Sequence, residues 1–131
     1  MDKVNVAEKF SLFSEHWKPQ IIGELNDSYV KAVKFKGDFL WHHHDNEDEL
    51  FFVVKGTMRM WLQENGPDSA REIIVRAGCE FIIIPKCMEH MPKADPYENG
   101  GECEVLLLEP KTTLNTGNVV NERTRPKLER I

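Results

Sequence analysis

Closely spaced turn signals limit the fold of this chain more than any other feature of its sequence. They occur at residues 55–56, 65–68, 77–78 and 99–101 and separate runs in which apolar and polar residues alternate. Alternation with a period of two is typical of β-strands, because successive side chains point to opposite faces. Many short strands with frequent turns indicate an antiparallel sandwich or barrel. We therefore expect an all-β fold.

The predicted strands lie at residues 3–6, 20–25, 29–36, 39–44, 49–54, 57–63, 72–75, 81–84 and 102–109. Residues 7–13 have the pattern of a short helical turn, and the polar residues from 112 onward are expected to form an irregular arm. A chain of 131 residues has room for one core. We expect a single domain over residues 1–131, with the barrel at about 20–110 and the C-terminal arm at 111–131.

Composition and charge exclude several functional classes. The net charge of −5 argues against nucleic acid as the main partner, because phosphate binding needs clustered lysine and arginine. No apolar run is long enough to cross a membrane, and no signal peptide is evident. Three cysteines without paired spacing are typical of reduced thiols. We expect a cytoplasmic protein without a membrane or nucleic-acid partner.

A group of histidines marks the candidate site. In an extended segment His42 and His44 point to the same face and His43 to the opposite one. Glu49 then begins an apolar strand, where a carboxylate is costly unless something neutralises it. His90 follows about forty residues later, so two distant parts of the chain can supply ligands to one divalent cation.

Imidazole and carboxylate donors suit a borderline transition metal. The tract could instead be a solvated loop, and Glu49 could be neutralised by a lysine such as Lys31. That lysine falls on the apolar face of its predicted strand, which is unusual for its residue type.

The motif spacing resembles that of the cupin superfamily, whose members are small jelly-roll barrels. The first motif runs from Gly37 through His42 and His44 to Glu49 and Gly56, with one spacer shorter by a residue. The second motif runs from Gly78 through Pro85 to His90. It departs from the family pattern at Cys87, where the family has glycine, and at Ala94, where the family has asparagine.

The resemblance implies a cupin-type antiparallel β-barrel (a double-stranded β-helix or jelly roll) that binds one divalent transition metal, Fe, Mn, Ni or Zn. Its implied ligands are His42, His44, Glu49 and His90. The strand pattern and the sequence flanking the motifs also resemble small bacterial single-domain cupins of the mannose-6-phosphate-isomerase-like group.

The resemblance further implies a metal-dependent enzyme of isomerase, lyase or dioxygenase type that acts on a small polar molecule. The alternative is a non-catalytic ligand-binding or sensor cupin with a structural metal. Candidates for a general base are Lys31 and Tyr29. A buried or half-buried side chain is expected for Cys87.

A homodimer is expected as well. The alternation of residues 81–84 predicts that Phe81 and Ile83 face the barrel and that Ile82 and Ile84 form an apolar outer face. A partner subunit would cover that face.

Overall fold

Eight antiparallel strands form two sheets in the computed structural model, which describes residues 1–131. The strands are β1 (Gln20–Leu25), β2 (Ser28–Lys36), β3 (Glu49–Lys55), β4 (Thr57–Gln63), β5 (Ala70–Arg76), β6 (Phe81–Ile84), β7 (Glu89–Ala94) and β8 (Glu102–Pro110). One sheet has the order β1-β2-β8-β3-β6 and the other has the order β5-β4-β7. A five-residue helix, α1 (Val6–Phe10), and two short 3-10 turns (Pro67–Ser69 and Asn99–Gly101) complete the regular structure. The expected all-β jelly-roll fold is confirmed.

The core lies between the two sheets and follows directly from the period-two alternation. In β4 the side chains of Met58, Met60 and Leu62 are buried, and the residues between them are only partly covered. In β8 Val105 and Leu107 are buried in the same alternating way. A smaller apolar cluster packs α1 against the outside of the five-stranded sheet. The alternating burial along these two strands follows the period-two pattern of the sequence.

Two predicted strands are absent and one strand was missed. Residues 3–6 form no strand; instead the Asn5 side chain accepts a hydrogen bond from the Glu8 backbone nitrogen and begins α1. Residues 39–44 form no regular strand either. Their β-pairing consists of one isolated bridge, from His42 to His90. The unpredicted strand is β7, whose Pro92 cannot donate a ladder hydrogen bond and therefore obscures the strand pattern.

The predicted orientation of β6 was wrong. Ile84 is buried and Ile82 packs against the core, whereas Phe81 and Ile83 are 59% and 53% exposed. The reason is the register with β3, which places Ile82 opposite the buried Phe51. Directly opposed residues of an antiparallel pair share a face. The short run of four apolar residues carried no polar marker from which its direction could be read.

No helix in the structure has the length and apolar character that crossing a bilayer requires. The C-terminal arm, residues 111–131, returns to the barrel and ends beside β1. There the Ile131 nitrogen donates to the Ile21 carbonyl at 3.0 Å, and the Ile21 nitrogen donates to the Glu129 carbonyl at 2.9 Å.

The three cysteines are free and occupy two different environments. Cys103 is fully buried, and burial raises the pKa of its thiol to about 12. Cys79 and Cys87 are exposed, so the expectation of a buried or half-buried Cys87 was wrong. Cys87 has a φ of 70°, a left-handed conformation that costs a residue with a β-carbon more than it costs glycine.

We predict that iodoacetamide at pH 8 modifies Cys79 and Cys87 but spares Cys103, because alkylation requires an accessible thiolate. Peptide mass spectrometry after a short reaction measures the modified fraction of each cysteine. The same reaction in guanidinium chloride should modify all three. Rapid labelling of Cys103 in the folded protein would contradict its burial in the core.

Candidate metal centre

Four buried side chains converge between the two sheets. They belong to His42, His44, Glu49 and His90, and one ligand atom from each lies within 4.8 Å of the others. None of the four residues is more than 5% exposed. The structure therefore brings together all four residues that the sequence motifs had singled out.

Backbone pairing positions the histidines. The His42 nitrogen donates to the His90 carbonyl at 3.0 Å, and the His90 nitrogen donates back to the His42 carbonyl at 2.9 Å. This reciprocal pair joins the segment before β3 to β7. The His44 carbonyl accepts from the Cys87 nitrogen at 2.7 Å, which ties the turn before β7 to the same segment. Glu49, the first residue of β3, faces them from the five-stranded sheet.

Two of the three imidazoles are oriented by backbone carbonyls. The His42 Nδ1 lies 2.9 Å from the Leu40 carbonyl oxygen, and the His90 Nδ1 lies 2.8 Å from that of Met88. These contacts suit an Nδ1–H tautomer, which leaves the Nε2 lone pair free toward the cluster. Carbonyl contacts of this kind commonly orient metal-binding histidines.

The polar atoms around Glu49 are close but poorly satisfied. The His44 Nε2 lies 2.8 Å from the Glu49 Oε1, yet both ring nitrogens of His44 lack a partner with hydrogen-bond geometry. The His90 Nε2 lies 3.1 Å from the same oxygen. Buried polar atoms without partners are uncommon in folded proteins. Their convergence on one point is the arrangement that a shared cation satisfies.

The electrostatics of the cluster favour the metal-binding protonation states. Burial, with help from the nearby His90, lowers the pKa of His42 to about 3, so this imidazole is neutral near pH 7. Burial alone would raise the pKa of the Glu49 carboxyl, but the close imidazoles of His44 and His90 hold it well below its usual range. Neutral imidazole and carboxylate are the forms that coordinate a metal. The residues present therefore fit a divalent transition metal.

A model of the cupin domain matches residues 32–109, which is more than half of the chain. The chain belongs to the cupin family. A cupin-2 domain protein from Shewanella frigidimarina is 39% identical, with a TM-score of 0.72, over 82% of this chain and 94% of that one. Protein NMB1881 from Neisseria meningitidis is 28% identical, with a TM-score of 0.67, over 84% of this chain and all of that one.

A curated relative of this cupin also matches, the uncharacterized protein YdbB of Bacillus subtilis. It is 32% identical over 68% of this chain and 67% of its own length. More distantly, hydroquinone 1,2-dioxygenase from Sphingomonas sp. TTNP3, solved with 4-hydroxybenzoate bound, shares the fold. It has 14% identity and a TM-score of 0.63 over 83% of this chain and 74% of that one.

A small cavity of about 30 Å³ adjoins the metal-ligand cluster of this cupin. His42 and Glu49 contribute to its wall. The remaining lining is mainly apolar and comprises Trp17, Pro19, Val33, Phe35, Phe39, Phe51, Pro92 and Leu107, together with Glu109 and Asn115. The Trp17 ring stacks on Phe35 and Phe39 with centroids 4.3 and 4.7 Å apart. Apolar walls therefore surround the open side of the cluster and limit its access to water.

A second buried carboxylate lies beside Glu49, and the motif analysis did not assign it a role. Glu109 accepts a hydrogen bond from the Lys31 Nζ at 2.7 Å, and both side chains are 1% exposed. Burial and the neighbouring charge of Glu49 raise the pKa of the Glu109 carboxyl well above its usual range, although Lys31 opposes this. Alternation along β8 places Glu109 inside with Leu107, and this signal could have identified it.

The general-base candidates occupy different positions. The interior placement of Lys31 is confirmed, and its ammonium group is engaged by Glu109 rather than by Glu49. Tyr29 is half-buried and does not line the cavity. The catalytic role of either residue stays a prediction.

His43 points away from the cluster, as strand alternation predicted. Its Nδ1 lies 2.7 Å from the Glu89 Oε2 on β7. The hydrogen bond with Glu89 raises the pKa of His43. Cys87 is absent from the group of possible ligands. His43 thus contributes a link between the two ligand-bearing segments rather than a ligand.

The C-terminal arm holds the histidine segment from outside. The Asn118 nitrogen donates to the His43 carbonyl at 3.0 Å, and the His43 nitrogen donates to the Asn118 Oδ1 at 2.9 Å. A β-carbon at Gly117 would collide with the His43 carbonyl oxygen and crowd the His42 ring. The arm therefore approaches closely enough that only glycine fits at this position.

We predict that Gly117→Ala lowers the free energy of unfolding by roughly 1–3 kcal/mol, the usual cost of overpacking, in addition to the backbone penalty. Urea denaturation measures it. The matched control is Gly100→Ala, because Gly100 has a similar φ of 65° against 56° but nothing within 4 Å of an added β-carbon. Equal losses in the two variants would show that the close approach to His43 has no energetic weight.

Proposed function

We propose that this cupin binds one divalent transition metal (Fe, Mn, Ni or Zn) through His42, His44, Glu49 and His90. We propose further that it acts as a metal-dependent enzyme on a small polar molecule. The observation that carries the proposal is the convergence of four buried donor groups, including an imidazole whose nitrogens lack hydrogen-bond partners. The adjoining cavity gives a small ligand a place next to those donors.

A divalent ion held by four protein donors would supply Lewis-acid or redox chemistry to a bound ligand. The chain itself contributes neutral imidazoles, a carboxylate that offsets cationic charge, and apolar walls that exclude water. Isomerase, lyase and dioxygenase activities all remain within the proposal. The distant dioxygenase resembles this chain in fold alone, so it does not select among them. The competing proposal is a sensor cupin with a structural metal. Turnover assays would distinguish such a sensor from an enzyme.

The narrower assignment to the mannose-6-phosphate-isomerase-like group also stays a proposal, as do a cytoplasmic location and the absence of nucleic-acid and membrane partners. The net charge of −5 supports the expectation that nucleic acid is not a partner.

We predict that His44→Ala abolishes stoichiometric metal binding, because it removes one donor from the buried cluster. His42→Ala and His90→Ala should act in the same way. Glu49→Gln should weaken binding while preserving the fold, since it removes the only negative charge among the four ligands. Elemental analysis of untagged protein, with circular dichroism as a check on folding, measures these effects and identifies the metal.

The matched control is His43→Ala, which removes an adjacent imidazole that faces Glu89 instead of the cluster. This variant should retain about one metal per chain, the content that we expect of the wild type. If His43→Ala loses its metal and His44→Ala keeps it, the ligand assignment is wrong by one residue.

We also propose that the protein forms a homodimer through the outer face of the five-stranded sheet. Phe81 and Ile83 are exposed there on the edge strand β6. Their partners on β3 are Phe52 and Leu50, which are only half-buried. A contiguous apolar face of this kind is uncommon on a monomer, and a second copy of the chain would cover it. This face replaces the one that the sequence had suggested.

We predict that Phe81→Asp converts the dimer to a monomer, because it places a charge on the proposed apolar contact surface. Light scattering at micromolar concentration measures the molar mass. Val120→Asp introduces the same charge at an exposed position of the C-terminal arm and should leave the dimer intact. A monomeric wild-type protein would contradict the proposed interface.

A further inference from the structure

Glu109 and Lys31 form a buried ion pair beside the metal-ligand cluster, outside the set of proposed ligands. We propose that Glu109, held in place by Lys31, makes this pocket selective for small hydroxy compounds by pairing with the ligand's hydroxyl group. This inference rests on the proposed metal site and adds a ligand class to it.

The geometry gives Glu109 one fixed oxygen and one available oxygen. Its Oε1 accepts from the Lys31 Nζ at 2.7 Å across the β2–β8 pair. Its Oε2 is buried and makes no hydrogen bond of acceptable geometry, although the Glu49 carboxyl is close enough to raise the pKa of Glu109. Glu109 also lines the cavity together with the ligand Glu49. An unpartnered carboxylate oxygen in this position is ready to bind a polar group of a ligand.

The other polar groups of the cavity wall, apart from the metal ligands, are already engaged. The Asn115 Nδ2 donates to the Arg123 carbonyl at 3.0 Å, and its Oδ1 accepts from the Arg125 nitrogen at 2.8 Å. The Trp17 Nε1 donates to the Lys36 carbonyl at 2.8 Å. A ligand can place one polar atom against the metal-ligand cluster. Glu109 is therefore the group that can recognise a second polar atom of the same ligand.

A hydroxyl group is the chemistry that fits this oxygen best. It can both donate and accept a hydrogen bond, so it pairs with Glu109 whether or not the carboxyl carries a proton. The cavity is small, about 30 Å³, and this restricts the ligand to roughly five non-hydrogen atoms. A short hydroxy acid such as glycolate has both features, and acetate is its counterpart without the hydroxyl group.

The test measures glycolate and acetate binding to Co²⁺-loaded protein by isothermal titration calorimetry, with the cobalt visible spectrum as a second readout. The wild type should bind glycolate about tenfold more tightly than acetate, the effect of about one hydrogen bond. Lys31→Met combined with Glu109→Leu should erase the preference while retaining Co²⁺. Replacing a buried ion pair by apolar residues of similar volume is commonly tolerated.

Two further variants keep the result decisive. Glu109→Gln preserves the side-chain shape and should reduce the preference several-fold, because Lys31 occupies the amide oxygen and the remaining NH₂ group can only donate a hydrogen bond. If the double variant does not fold, Glu109→Gln alone tests the role of Glu109. Glu104→Gln changes a carboxylate on the opposite face of β8 and should leave the preference unchanged.

The two proposals fail in different ways. A wild-type protein that binds no Co²⁺ overturns the metal site and this inference with it. A protein that binds Co²⁺ but binds glycolate no better than acetate overturns the role of Glu109 alone. An unchanged preference in Glu109→Gln does the same, since chelation by the metal would then explain the preference without that residue.

Discussion

Burial of the Glu49 carboxylate between two β-sheets is the constraint around which the rest of the interior is arranged. An ionised group in such a place is stable only with close polar partners. The partners are the imidazoles of His44, from the segment just before Glu49, and of His90, from a distant part of the chain. The backbone pair between His42 and His90, and the arm that supports it, keep those imidazoles at the required distance.

The sequence was informative about the site because the relevant signals were local. Alternation placed His42 and His44 on one face, and the apolar run after Glu49 placed its carboxylate inside. Each of these inferences needs only the geometry of one extended segment. Glu109 obeys the same alternation along β8, but at the end of a polar-flanked strand it carried no motif to mark it. Glu109 is notable because its carboxyl group pairs with Lys31. These two residues are far apart in the sequence, so their contact depends on the three-dimensional fold.

The wrong predictions about strands have a common physical origin, namely the register with which strands pair. In a run of four apolar residues such as 81–84, alternation allows either set of alternate side chains to face the core and gives no reason to choose between the two sets. The choice was made by pairing with β3, where Phe51 and Glu49 already face inward. Similarly, residues 39–44 have the local character of a strand, but their hydrogen bonds go to β7 at only isolated points. Local patterns predicted what could form a strand, and long-range pairing decided which segments did.

The division of the ligand set between the two sheets has a thermodynamic consequence. Glu49 belongs to the five-stranded sheet and His90 to the three-stranded one, so an ion bound by both would bridge the two halves of the barrel. The free energy of metal binding would then add to the free energy of unfolding, because the unfolded chain cannot present the same donors together. The lifetime of such a protein would then follow the supply of its metal, and scarcity would lower its abundance as well as the occupancy of its site.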